Sequence, residues 1–217
     1  RVNALGPQTL ALACQRRGLA LVQISTDYVF DGRKGSAYWE HDVPNPLSVY
    51  GRSKLAGDHY ALTLCRRTYV VRTSWLYGDP GRNFVKLMLQ LVRERETVSV
   101  VADEIGGPTW VADLAAAIVR LVQTERYGIY HLANTGACSR YELARRIARR
   151  VGREHVVRAT TTAAYRATRP GMAPRPAYSE LKNFVAATVL GITLRPWEAA
   201  LDAFLDGFLE KEGITLR

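Results

Sequence analysis

Hydrophobic residues follow two alternating rhythms along the chain. From 2 to 17, Leu5, Leu10, Leu12 and Ala13 lie on or near one face of a predicted helix, which Gly18 ends. The next stretch, Leu19-Ala20-Leu21-Val22-Gln23-Ile24-Ser25, is the short apolar run expected of a strand covered on both sheet faces. A polar loop, Thr26-Asp27-Tyr28, and a glycine-containing acidic excursion over 31–46 lead into a helix predicted over 48–64. The pattern then repeats as a strand over 68–73, a helix over 83–95, a strand over 98–101 and a helix over 113–122. The helix over 83–95 is amphipathic through Phe84, Val85, Leu87, Met88, Leu91 and Val92.

Strands alternating with helices of these lengths predict an α/β fold with a doubly wound parallel sheet. Beyond about residue 127 the rhythm changes. One more short strand is expected at 129–132, Ser139 opens an arginine-rich helix, 156–180 shows little periodicity, and a closing helix is expected over 197–209. The organisation expected is therefore a partial Rossmann-type domain over 1–126 and a smaller C-terminal α/β lobe. That lobe occupies mainly 127–217 and is intermixed with the first domain.

Composition narrows this picture only a little. The 217 residues are 47% hydrophobic and 23% charged, as in ordinary globular proteins. No apolar run approaches the roughly 20 residues that a membrane helix needs. Pro7 and Gln8 interrupt any signal-like apolar stretch near the start, so a cytoplasmic protein is expected. Three scattered cysteines and four scattered histidines offer no metal-ligand spacing.

The net charge of +10 comes mostly from arginine, clustered at Arg145, Arg146, Arg149, Arg150 and Arg153, and again at Arg158, Arg166, Arg169 and Arg175. A nucleic-acid surface would place a groove-reading element or aromatic platforms beside the charge, and the sequence has neither. Two readings stay open. The arginines form a solvated helix face, or some of them receive an anionic small substrate.

The candidate chemistry begins at Tyr50-Gly51-Arg52-Ser53-Lys54, which sets a phenol and an ammonium four residues apart on one face of a predicted helix. Reduction of a carbonyl generates an alkoxide that must take a proton. A phenol supplies that proton more readily when a cation nearby favours the phenolate, and the same ammonium can hydrogen-bond a cofactor ribose. By itself this spacing is common among helices. Its context strengthens it, because Ser25-Thr26-Asp27-Tyr28 stands at the C-terminal end of a predicted parallel strand, where open α/β sheets collect ligands. A hydroxyl there can hold the substrate carbonyl near the tyrosine.

Three blocks carry a specific resemblance: residues 24–32 (Ile-Ser-Thr-Asp-Tyr-Val-Phe-Asp-Gly), 46–57 (Pro-Leu-Ser-Val-Tyr-Gly-Arg-Ser-Lys-Leu-Ala-Gly) and 72–78 (Arg-Thr-Ser-Trp-Leu-Tyr-Gly). With Gly107-Pro108-Thr109, Arg175-Pro176, Ser179 and Leu181, they resemble the dTDP-4-dehydrorhamnose reductases over essentially the whole chain. The resemblance implies reduction of the 4-keto group of dTDP-4-dehydro-β-L-rhamnose by NADPH or NADH, giving dTDP-L-rhamnose. It implies Tyr50 as proton donor, Lys54 as its cationic, ribose-binding partner and Thr26 as the residue orienting the carbonyl. Thr26, Asp27 and Trp75 are implied as sugar contacts. A homodimer is implied too, and a structural magnesium in some members, for which this sequence names no ligands. Asp58 follows Gly57 where the family usually has glutamate.

The glycine-rich turn that normally cradles a dinucleotide pyrophosphate does not appear. Gly32 with Gly35, and Gly78 with Gly81, lack its three-glycine spacing. The expectation is that this turn precedes the residues given. Two alternatives stay open: another sugar-nucleotide epimerase or dehydratase of the extended short-chain dehydrogenases, and a non-catalytic subunit resembling the regulatory β subunit of methionine adenosyltransferase. A dehydratase would want a glutamate after Asp27, where Tyr28 stands.

Overall fold

The structure is a computed structural model that describes residues 1–213. Its helices are α1 (Leu5–Arg17), α2 (Val49–Leu64), α3 (Phe84–Glu94), α4 (Val111–Val122), α5 (Arg140–Arg149), α6 (Thr162–Ala167), α7 (Phe184–Leu190) and α8 (Trp197–Lys211). Its strands are β1 (Leu21–Thr26), β2 (Thr68–Thr73), β3 (Leu76–Tyr77), β4 (Val98–Val101), β5 (Ile105–Gly106), β6 (Thr109–Trp110), β7 (Gly128–His131), β8 (Cys138–Ser139) and β9 (Val157–Thr160).

The main sheet is parallel, in the order β1-β2-β7. Every residue of the central β2 is buried, as its Tyr-Val-Val run requires of a strand sandwiched between two helical layers. Ala11 of α1 and Ala61 of α2 pack with Leu21 on one side of the sheet. Leu114 and Leu121 of α4 and Ala186 of α7 pack with Tyr69, Val71 and Tyr130 on the other. This is the Rossmann-type arrangement that the alternation predicts.

Local chemistry explains where the helices begin. Ser48 caps α2 by accepting from the Gly51 amide at 3.0 Å, and Asn83 caps α3 by accepting from Lys86 at 3.1 Å. Ser139 and Glu142 close a reciprocal capping box on α5.

One strand departs from the expectation. β4 continues the alternation in sequence but pairs with β9, parallel, in a separate two-stranded sheet. There it shares a second core with α3, α5 and α8, built on Val85, Met88, Val98, Leu143, Ile147, Leu201 and Leu205. The chain thus visits this second core at 84–101, at 138–157 and again at 197–209, returning to the main sheet with β7 and α7 in between. The two lobes are interleaved rather than strung end to end.

The arginines of α5 resolve one open question. Arg145 and Arg149 pair with Glu154, Arg146 with Asp202 at 2.6 Å, and Arg150 with Asp206, while Arg153 donates to the Val92 and Arg95 carbonyls. The cluster ties α5 to α8 and to the end of α3.

Beneath the end of β1, Asp58 is fully buried and accepts from Ser25 Oγ at 2.6 Å. The Arg72 guanidinium stands 3.7 Å from the same carboxylate, over the Phe30 ring. Burial pushes the Asp58 carboxyl up, against the lowering effects of Ser25, Arg72 and Lys54. Removing one member leaves a buried charge unpaired. Asp58→Ala is therefore expected to lose about 3–5 kcal/mol of stability in denaturant titration. An Asp58→Leu, Arg72→Met double variant should recover most of that loss.

Candidate active site

Tyr50 and Lys54 occupy the first two turns of α2, and Thr26 and Asp27 stand where β1 ends. The two elements meet at Gly51. A Cβ there would lie 2.1 Å from the Tyr28 carbonyl oxygen and 2.9 Å from Pro46 Cβ, so only glycine permits this approach. The Tyr50 and Tyr28 rings then meet edge to face, with centroids 5.8 Å apart. Tyr50 remains 47% exposed, open to a ligand on its outer side.

Lys54 reaches back to the end of β1, donating to the Ile24 carbonyl at 2.5 Å. Partial burial lowers its pKa, opposed by the Asp58 carboxylate one turn further along α2. An ammonium has three protons, so this bond leaves donors for a further ligand.

Thr26 Oγ1 donates to Asp27 Oδ1 at 3.0 Å and accepts from the Tyr28 amide at 3.2 Å. Asp27 is only 2% exposed and takes a second hydrogen bond, 2.6 Å long, from Ser179 Oγ. Burial raises its pKa to about 6, against the lowering effects of Ser179, Thr26 and Arg140. Ser179 arrives on the segment that pairs with β5 through its own amide and that of Ile105. This bond joins the end of β1 to the chain's last third.

Trp75 stands two residues beyond the end of β2 with φ of 43°, a left-handed conformation that strains a bulky residue. The Thr109 amide holds its carbonyl at 3.3 Å, and Ser74 Oγ donates to the Gly107 carbonyl at 2.6 Å. A Cβ on Gly106 would lie 2.5 Å from the indole, so that glycine makes room for the ring. The Arg140 guanidinium stacks on the indole, 3.6 Å from the ring centroid. Arg140 also acts electrostatically on Asp27 and Tyr28.

The structure thus brings all five predicted site residues to the C-terminal end of the main sheet. Sequence reasoning missed Ser179 and Arg140. Ser179 is among the residues that carry the family resemblance, which gives it no role, and Arg140 is the first helical residue after the Ser139 cap, a position that gives no hint of the indole it covers. Among the described residues no group of three His, Cys, Asp or Glu side chains is arranged to hold a metal ion. The Lys54 ammonium, with protons to spare beside the exposed Tyr50 phenol at the carboxyl end of a parallel strand, fits the ribose of a nicotinamide cofactor.

Comparison with known proteins places this site in a family. The chain is 41% identical over 213 residues to the dTDP-4-dehydrorhamnose reductase of Aggregatibacter actinomycetemcomitans, an alignment covering 92% of this chain and 71% of the relative. It is 43% identical over 208 residues to the enzyme of that name from Mycobacterium tuberculosis, covering 92% and 67%. The crystal structure of dTDP-4-dehydrorhamnose reductase from Bacillus anthracis in complex with NADP superposes with a TM-score of 0.89 at 42% identity, over 94% of this chain and 72% of that one. The orthologue from Clostridium acetobutylicum superposes at 0.90 and 40% identity, covering 95% and 72%. The model of the RmlD substrate binding domain matches residues 1–210, and the chain belongs to that family.

Proposed function

We propose that this protein reduces the 4-keto group of dTDP-4-dehydro-β-L-rhamnose to dTDP-L-rhamnose, with NADPH or NADH as reductant. The observation that carries this reading is the contact of Gly51 with the Tyr28 carbonyl just past β1, which sets Tyr50 beside Tyr28 and lets Lys54 reach the Ile24 carbonyl, next to Thr26 and Asp27. The reduced nicotinamide, when bound, supplies a hydride to the keto carbon. Tyr50 donates the proton that the resulting alkoxide needs. Lys54 holds the cofactor ribose and keeps positive charge beside the phenol. Thr26 orients the keto oxygen, and for this its hydroxyl proton turns from Asp27 Oδ1 toward the substrate. Asp27 accepts from a sugar hydroxyl, while the Trp75 indole offers the deoxysugar its apolar ring edge and one N–H.

The second lobe binds the sugar nucleotide, and the main sheet belongs to the cofactor. Arg146 and Arg149 of α5 are engaged with carboxylates of the chain itself, which leaves them less free for a nucleic-acid backbone. No helix among the described residues is long and apolar enough to cross a membrane. A cytoplasmic homodimer is the arrangement we infer, on the strength of the family. The dehydratase reading loses support at residue 28, where a tyrosine follows Asp27.

Two measurements test these roles. In the full-length protein, Tyr50→Phe should lower kcat for the 4-keto sugar nucleotide by at least about 100-fold, the scale of a lost general acid, with its fold intact. Loss of reduced-nicotinamide absorbance reports this, and undiminished turnover would remove Tyr50 from the mechanism. The second concerns pH. Native Asp27 holds its proton up to about pH 6, whereas an unfolded aspartate releases it near 3.8. The native state therefore binds more protons in that window, and stability falls as pH rises through it. Asp27→Asn should be spared that fall. Across the window the parent should lose on the order of 2–3 kcal/mol more than the variant in urea titrations.

A further inference from the structure

We infer that Arg140 binds the diphosphate of the sugar nucleotide, its guanidinium held ready by the Trp75 indole. The inference rests on the sugar-nucleotide reading above and adds to it a recognition residue for the anionic part of the substrate.

Arg140 is an arginine that lacks a partner among the described residues. Each arginine of α5 beyond the first turn, Arg145, Arg146 and Arg149, pairs with a carboxylate on the surface. Arg140 instead lies over the Trp75 ring and near the Phe84 ring, whose centroid is 5.2 Å away. Yet among the described residues it makes no ion pair, and its buried Nε has no hydrogen-bond partner. The nearby carboxylates are engaged elsewhere. Asp27 takes Thr26 and Ser179, and Glu104 faces Arg175 at 3.5 Å and is reached by Thr162 Oγ1. Burial lowers the pKa of Arg140 and so works against the charge it carries.

Position adds to this. Arg140 is the first residue of α5, the positive end of the helix dipole, where a cation is disfavoured. The guanidinium carries no acceptor and so takes no part in capping the helix, which Ser139 and Glu142 do. A desolvated cation without a partner, at the wrong end of a helix and stacked on a predicted substrate-binding indole, is an anion receptor. A planar guanidinium matches phosphate oxygens two at a time, and stacking fixes its plane in advance. The anion of a sugar nucleotide is its diphosphate, so that is the group it receives.

Calorimetric titration of the full-length protein with dTDP and with thymidine tests this without relying on catalysis. Arg140→Met should weaken dTDP binding at least tenfold and leave thymidine binding unchanged. Arg140→Lys, which keeps the charge without the planar fork, should fall between. Equal dTDP affinity in parent and Arg140→Met overturns the inference. So does a parent that binds no dTDP, or an Arg140→Met variant that loses thymidine and dTDP alike, since the arginine would then merely prop Trp75. The turnover assay is separate. A parent that turns over no 4-keto sugar nucleotide, but whose dTDP affinity falls in Arg140→Met, keeps this anion site and overturns the reductase reading.

Discussion

The first turn of α2 presses on the end of β1 so closely that no side chain fits between them at Gly51. Much else follows from that contact. It puts Tyr50 edge to face with Tyr28 and carries Lys54 to the Ile24 carbonyl. It also sets the phenol and ammonium against a strand end bearing a hydroxyl and a carboxylate. Below it, Ser25, Asp58 and Arg72 form a buried polar group that ties α2 to both β1 and β2. A helix free to shift by an ångström would leave the same residues in the sequence and dissolve the site.

The opposite wall depends on the interleaving of the two lobes. Trp75 belongs to the loop after β2, Arg140 to α5, and Ser179 to the return segment beside β5, yet Arg140 stacks on Trp75 and Ser179 hydrogen-bonds Asp27 at the end of β1. A substrate lying there would touch groups whose positions are set by two different cores. The strain at Trp75 and the unpaired charge at Arg140 both stand in this wall. Such local violations of otherwise consistent folding rules belong to binding sites.

Most of the main sheet was legible in the sequence because its signals are local. The apolar run at 19–25, the capping serine at 48 and the fully buried Tyr-Val-Val of β2 each report their own surroundings. The Tyr50–Lys54 spacing was likewise visible, since helix geometry converts four residues into one face. What stayed hidden depends on distant partners. β9 has a single buried residue, Val157, and nothing in its Arg-Ala-Thr tail announces the pairing with β4. The place of β4 outside the main sheet, the α7 helix over 184–190 and the stacking of Arg140 on Trp75 are decided by contacts far apart in the chain.

The contact at Gly51 can be tested directly by comparing Gly51→Ala with the parent in two assays, denaturant stability and reduction of the 4-keto sugar nucleotide by the full-length protein. The account predicts a modest loss of stability, about 1–3 kcal/mol for an overpacked contact, with a loss of turnover well beyond what the unfolded fraction explains. A folded Gly51→Ala protein with the parent's turnover would contradict it.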